Sequence, residues 1–575
     1  MFRNCLLLLI VSLFIQTSFA QIALSPEFSE TISTTSSTAQ KYWVYFHDKD
    51  DVNLQKAHPE NYLSQRAIER RNKIGIGIEF SDLPVSTKNI DKLNQIGATP
   101  VVISKWLNAV SVYLTESQME QVVMWDEVAN IQKVKKYRRA DEAIIPYNDQ
   151  VFYRTAGTSD VTGMFGLASN QIEQINLDTI LDLGYTGNDM VIAVLDAGFF
   201  GVDTATLFQS FWDKGQILGY KNFPDHNNEV FNIYSGYHGA WVMSVIGGDV
   251  ADAFSGSAPN ADFYLFRTEV ADSEYVVEED YWLAASEKAD SVGADIINSS
   301  LGYTTFDDSL ENHTYEDLDG NTAVVTKAGD MAAQKGILVC NSAGNEGANT
   351  WHYISMPGDG DSVFTIGGVD TNGIHVGFSG YGPTFDGRLK PNVVALALGS
   401  AVLDPGGYIG FLAGTSFSSP LIAGACASLW GAFPEKTNME IMSAVERSAH
   451  LYLTPNDSMG YGIPNFGLAY EILLSETDTT TEDTVVVDTT TAIFDILPNP
   501  AGDFFSVFIT TNENAPATIQ FYDLAGQLIY QEKIYLSKSI ANTFTIDTRK
   551  NFSQGMYLFS LTGDGFKQST VVFVE

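Results

Sequence analysis

The stretch Gly414-Thr415-Ser416-Phe417-Ser418-Ser419-Pro420 opens a run, Leu421 to Trp430, that is apolar or small around nearly its whole circumference. Such a run describes a helix buried inside a domain, and Pro420 fits its first turn, where a missing N–H has no partner to lose. A serine at the positive end of a buried helix suits a nucleophile. Unpaired backbone N–H groups there can hold the negative oxygen of an acyl-transfer intermediate. Read alone, Thr415 or Ser416 is equally an N-cap. The same chemistry needs a base, a group to orient that base and a second oxyanion donor. Asp196 closes the continuous apolar stretch Met190 to Leu195, His238 begins the short apolar segment ending at Gly247-Gly248, and Asn345 lies in Asn341-Ser342-Ala343-Gly344-Asn345-Glu346-Gly347. Each has a plain structural reading as well: an Asp capping a turn, a solvent-facing His, an Asn in a left-handed turn.

The elements that must position these groups follow from local pattern. Met190 to Leu195 reads as a central strand of a parallel sheet, and in open α/β sheets functional groups gather at strand carboxyl ends, where Asp196 stands. Gly239 beside His238 lets other backbone approach closely. Further strands are expected at Ala261–Phe266, Asp295–Ser299 and Gly336–Cys340, with helices at Glu278–Val292 and Thr326–Lys335. Repeated strand, glycine-rich turn and helix give an α/β fold, a doubly wound parallel sheet. Ahead of it, residues 41 to about 140 alternate strands and helices as a small α+β unit that ends in the basic run Lys133 to Arg139. After about Ser475 the composition turns to Thr, Asp, Glu and Val, a solvated linker. Short alternating segments from Phe504 to Val574 then suggest a β-sandwich.

Composition narrows the function classes. Seventy acidic residues against 32 basic ones give a formal charge of -38 across 575 residues, which argues against nucleic acid and anionic membranes as partners. Met1 to Ala20 reads as a secretory signal peptide, with Arg3, the apolar core Leu6 to Ile15 and Ser18-Phe19-Ala20 as cleavage site. No later stretch is apolar for long enough to be a transmembrane segment. Cys340 and Cys426 both sit in apolar runs and read as free buried thiols.

Asp196, His238 and Ser416 occur in the chain order Asp, His, Ser, one of the orders in which such a triad is built. With VIAVLDAGF, YHGAWV, GSAPNADFYLFR, NSSLGY, NSAGNEG, FSGYGPTFDGRLKPNVVA and GTSFSSPLIAGA, the chain resembles the subtilisin-like serine peptidases over about residues 165 to 470. It departs at Ala197, where Thr or Ser is usual, and at Ala240-Trp241, where a Thr-His pair is common. The resemblance implies Ser416 as nucleophile, His238 as base, Asp196 as its orienting group, and Asn345 with the Ser416 N–H as oxyanion donors. It also implies a substrate cleft between Ser300-Leu301-Gly302 and Ala343-Gly344, with Glu346 near its first pocket. The unit at 41–145 resembles an inhibitory pro-domain. The C-terminal segment, with Leu497-Pro498-Asn499-Pro500-Ala501-Gly502, Asp523-Leu524-Ala525-Gly526 and Gln554-Gly555-Met556-Tyr557, resembles a type IX secretion sorting domain.

The expected organisation is a signal peptide (1–20), a flexible leader (21–40), the pro-domain (41–145), a peptidase domain (165–474), a Thr/Asp-rich linker (475–491) and a β-sandwich sorting domain (492–575). The expected activity is that of a secreted serine endopeptidase, released or attached at the outer cell surface, with proteins or peptides as substrates and the type IX secretion machinery as partner. The alternative is a catalytically silent fold serving as a surface binding protein, against which the intact set of four residues argues. No cofactor is required for the chemistry. The acidic loop Asp307 to Thr322 suits a structural calcium ion or is simply solvated.

Overall fold

A computed structural model of the protein describes residues 39–134, 152–153, 164–233, 236–270, 275–307, 309–477, 492–497, 504–511, 515–522, 527–537, 542–563 and 566–574. The signal peptide, nearly all of the leader, Lys135–Arg139, residues 478–491, and the motifs at 498–502 and 523–526 lie outside the described residues. The chain divides into two compact units, which meet at Glu476/Thr477.

In the first unit, residues 40–133 form a four-stranded antiparallel sheet of β1 (Gln40–Phe46), β2 (Pro100–Ser104), β3 (Ala109–Leu114) and β4 (Val128–Lys133), in the order β2-β3-β1-β4. Helices α1 (Gln65–Lys73), α2 (Thr87–Gln95) and α3 (Glu116–Val123) accompany it. Ser64 and Thr115 cap α1 and α3 by accepting from Ala67 and Gln118 N–H, which satisfies donors that a helix start leaves open.

Seven parallel strands follow. They are β5 (Val191–Asp196), β6 (Ile217–Asn222), β7 (Asp262–Arg267), β8 (Ile296–Ser299), β9 (Leu338–Ser342), β10 (Val363–Val369) and β11 (Val393–Leu396). Their order is β11-β10-β9-β8-β5-β7-β6. The winding reverses around β5, so the crevice beyond its carboxyl end is where functional groups can converge. Every residue of β5, β8, β9, β10 and β11 is buried, as in a parallel sheet covered on both faces, and β5 shows it most plainly as a near-continuous apolar run. The helices α4 (Tyr237–Gly247), α5 (Val277–Val292) and α6 (Val324–Gln334) connect strands, and a hairpin of β12 (Leu398–Asp404) and β13 (Tyr408–Ala413) leads into α7 (Thr415–Ala432) and then α8 (Asn438–Ser448). Strands β6, β10 and β11 and the hairpin are additional to the elements expected from the sequence. The β6 segment is half-exposed and interrupted by Gly219, and β11 is only four residues long.

One difference changes the reading of the nucleophile helix. It begins at Thr415, so Pro420 is its sixth residue and lies inside the helix rather than in its first turn. Cys426 on α7 and Cys340 on β9 are both buried free thiols, and burial pushes the Cys426 thiol up.

The N-terminal sheet lies against α5. Asp280, Glu287 and Asp290 are seven and three residues apart, spacing that puts them on one face of that helix. Asp280 accepts from Trp43 Nε1 (3.2 Å) and Ser111 Oγ (2.6 Å) and pairs with Lys41. Glu287 accepts from Ser104 Oγ (2.5 Å) and from the Lys105 and Trp106 N–H groups. Asp290 is held by Arg70 and Arg71 (both 2.7 Å) and by Lys105 (3.0 Å). Burial opposes its charge, yet Lys105, Arg70 and Arg71 outweigh it and keep the carboxyl well below the usual range. Trp43, Val102, Trp106 and Ala109 share an apolar cluster with Phe266 and Trp282 beside these pairs.

In the second unit, β14 (Ala492–Leu497), β15 (Phe504–Thr511), β16 (Ala515–Tyr522), β17 (Leu528–Leu536), β18 (Asn542–Asp547), β19 (Gly555–Gly563) and β20 (Phe566–Val574) form two antiparallel sheets, β14-β15-β18 and β17-β16-β19-β20. Phe505, Ile519, Phe521 and Phe559 close one apolar core, which gives the β-sandwich its interior.

Candidate active site

Asp196 is the last residue of β5 and is fully buried. Its Oδ1 accepts the Ala197 N–H (2.7 Å), and its carbonyl accepts the Thr268 N–H (3.0 Å) from the end of neighbouring β7. Both carboxylate oxygens face Nδ1 of His238, at 2.9 and 3.0 Å. A carboxylate only accepts, so this Nδ1 carries the hydrogen and Nε2 is directed away from Asp196. The approach depends on glycine: a Cβ at Gly239 would lie 2.2 Å from the Gly198 carbonyl oxygen and 3.0 Å from Asp196 Cβ. Gly198 itself has φ +136°, a conformation that favours glycine.

Ser416 is the second residue of α7, and its Oγ lies 3.4 Å from the Ser300 carbonyl oxygen. The turn into the helix is made by Gly414 at φ +145°, again a glycine conformation. The ring of Phe417 stands 6.1 Å from that of His238, centroid to centroid. Asn345 reaches the same turn: the Thr415 N–H donates to its Oδ1 (2.9 Å), and Thr415 Oγ1 does so as well (3.1 Å). A backbone N–H can only donate, which fixes the amide and leaves Nδ2 to donate elsewhere. The Asn345 N–H in turn donates to Glu346 Oε2 (2.8 Å), and burial raises the Glu346 carboxyl.

Residues 187–462 match the family model described as the subtilase family, residues 41–145 that of the peptidase S8 propeptide domain of Bacteroidota, and residues 495–575 that of a secretion system C-terminal sorting domain. Residues 187–462 are thus a peptidase S8 (subtilase) domain. Subtilisin NAT of Bacillus subtilis subsp. natto is 26% identical over 382 residues, which cover 66% of this subtilase and 85% of that protein. The subtilisin of Bacillus pumilus is 28% identical over 296 residues, covering 51% and 95%. Among solved structures, the epidermin leader peptide processing serine protease of Staphylococcus aureus aligns with a TM-score of 0.49 at 14% identity, over 76% of this chain and 100% of that one. This subtilase is a serine-type peptidase with a propeptide domain and a type IX sorting domain, and the latter makes it secreted or attached at the cell surface. Among the described residues no helix is long and apolar enough to cross a membrane.

Ser300-Leu301-Gly302 and Ala343-Gly344 of this subtilase approach one another across Ser355. A Cβ at Gly302 would lie 2.0 Å from Ser355 Oγ, and one at Gly344 would lie 2.7 Å from both Ser355 Oγ and Glu346 Oε2. Ser355 Oγ is buried and has no hydrogen-bond partner among the described residues. Nothing in the sequence singles it out, because a lone serine in an irregular stretch carries no pattern. Glu269 was also not expected. It follows β7 and is buried, and its Oε1 accepts from Tyr303 OH (2.5 Å) and Thr268 Oγ1 (2.9 Å). Burial, with nearby Asp196 adding to it, pushes this carboxyl up to about 7 despite those two bonds.

Among the described residues no three His, Cys, Asp or Glu side chains converge as a metal site. In the acidic loop, Asp317 accepts the Thr314 N–H (2.8 Å) and Asp319 those of Asn321 and Thr322 (2.7 and 2.8 Å), so these carboxylates face backbone donors. Asp308 lies outside the described residues.

Proposed function

We propose that this subtilase is an endopeptidase that hydrolyses peptide bonds in proteins through Asp196, His238, Ser416 and an acyl-enzyme intermediate. The observation that supports this most is the two-oxygen approach of Asp196 to Nδ1 of His238, beside a helix start that carries Ser416. Ser416 Oγ attacks the scissile carbonyl while His238 Nε2 takes its proton. Asp196 holds the tautomer and stabilises the imidazolium. The Asn345 Nδ2–H and the Ser416 N–H carry the negative oxygen, and His238 returns its proton to the leaving amine. Water then cleaves the acyl-enzyme by the same steps in reverse. All of these roles fall to side chains and backbone, so no cofactor is assigned to the reaction.

Substrate in extended form would lie between Ser300–Gly302 and Ala343–Gly344, recognised by backbone first. Residues 41–145 are proposed to cover the enzyme until they are cut off, and residues 492–575 to deliver it to the type IX secretion machinery. Covalent labelling by a fluorophosphonate, mapped to Ser416 by mass spectrometry, tests the reading. A label on another residue, or none on matured protein, would overturn it.

A further inference from the structure

The backbone carbonyl of Ser416 has lost its place in the helix ladder. In an α-helix the carbonyl of residue i accepts from the N–H of residue i+4, which here is Pro420. Proline has no N–H, and its ring presses against the carbonyl four residues earlier. Pro420 is the sixth residue of α7, so this carbonyl, unlike those of a helix C-terminus, is orphaned inside a buried element. A buried acceptor left without a donor is costly, and the donor comes from another strand: Ser300 Oγ lies 2.9 Å from Ser416 O. Asn298 Nδ2 donates to Ser300 Oγ at 3.3 Å, and Asn298 Oδ1 accepts from Ser419 Oγ at 3.0 Å. Ser300, Asn298 and Ser419 are all buried. The chain of bonds therefore runs from the end of β8 to the nucleophile's carbonyl and returns to α7 at the residue before Pro420.

We propose that the Ser300 hydroxyl is a positioning residue for the nucleophile, standing in for the helical N–H that Pro420 removes. The proposal rests on Ser416 being the nucleophile and adds a side-chain role to a residue whose backbone borders the cleft. Holding the Ser416 carbonyl fixes the rotation of the peptide plane that follows Ser416. With it are fixed the directions of the Ser416 Cβ and N–H relative to α7. The donor sits on the segment that binds substrate, so the nucleophile's orientation is set by the cleft wall and not by the helix alone. A helical bond would aim the carbonyl along the helix axis with no reference to the cleft.

The test is a double-mutant cycle in which Pro420→Ala restores the missing N–H. kcat and KM are measured for Ser300→Ala in the wild-type and the Pro420→Ala backgrounds, per site titrated with a fluorophosphonate. With Pro420 present, Ser300→Ala lowers kcat about tenfold, the factor expected when a buried acceptor loses its donor, while KM stays within about twofold. In the Pro420→Ala background, the same substitution costs at least about fivefold less. Ser300→Thr, which keeps the hydroxyl, retains most of kcat. Equal losses in the two backgrounds, or a loss confined to KM, would overturn the proposal. If Ser300→Ala yields no titratable sites, their return on adding Pro420→Ala supports it and their absence from both overturns it. Wild-type enzyme that takes no label at all sinks the nucleophile assignment instead, which separates the two failures.

Discussion

The face of α5 under the N-terminal domain and the start of α7 are both buried, yet they are held in opposite ways. Around α5, the carboxylates of Asp280, Glu287 and Asp290 meet Lys41, Arg70, Arg71 and Lys105 from more than 180 residues away. Around the start of α7, Ser300, Asn298, Ser419, Thr415 and Asn345 form a net of neutral hydroxyl, amide and backbone groups. The difference follows from what each contact must survive. If residues 41–145 are cut off as proposed, the charged groups of this face, which flank the apolar patch of Trp43, Val102, Trp106 and Ala109, are at home in water once separated. The surroundings of Ser416 lie within one domain, and neutral bonds position it without adding a charge next to Asp196. Each neutral bond is worth about 1 kcal/mol net, whereas a buried charge left unpaired costs about 3–5 kcal/mol.

The largest expected effect is on the neutral side. Ser416→Ala should abolish hydrolysis of a general protein substrate; in subtilisin, loss of the nucleophile lowers turnover about 10⁶-fold. Intact mass over time would show whether the variant also keeps its first 140 or so residues. Normal maturation of an inactive variant would mean that another protease does the processing. Next, Asp196→Asn should lower kcat about 10⁴-fold, because the amide no longer enforces the His238 tautomer. A loss below about tenfold would mean that the pairing at 2.9 and 3.0 Å is not what orients the imidazole.

On the charged side, Arg71→Ala in the uncleaved Ser416→Ala precursor should cost about 3–5 kcal/mol in denaturant unfolding, since it takes a cationic partner from the buried carboxylates of Asp82 and Asp290. A cost near zero would erase the contrast drawn between the two regions. The smallest effect sharpens that contrast: Glu269 is a carboxyl near the catalytic side whose ionisation burial opposes. Its folded value of about 7 lies above the ordinary 4.5, so its contribution to stability is full below about pH 4.5 and is lost as pH rises to about 7. Glu269→Gln should flatten the stability profile across that window, by up to about 3 kcal/mol. Parallel profiles for wild type and variant would mean that Glu269 ionises freely.

Much of this was legible in the chain. Met190 to Leu195 and the small-residue run after Ser416 announce their elements because full burial there permits only apolar or small side chains, and that demand is written residue by residue. The half-exposed β6 was not legible, since its one sheet neighbour, β7, lies some forty residues on and its alternating burial leaves little local pattern. The place of Pro420 was misread for a different reason: proline suggests a first turn, whereas the helix starts at Thr415 and leaves Pro420 inside it.

By itself the sequence determined the α/β class of the core and put forward Asp196, His238, Asn345 and Ser416 as candidates, because residue types and short motifs are local properties. Tertiary structure alone decided that Ser355 stands against both Gly302 and Gly344, that Glu269 is pressed toward neutrality, that Arg70 and Arg71 close on Asp290, and that Ser300 donates to the carbonyl that Pro420 cannot serve. Each of those depends on a distance between residues far apart in the chain, and no local pattern encodes such a distance.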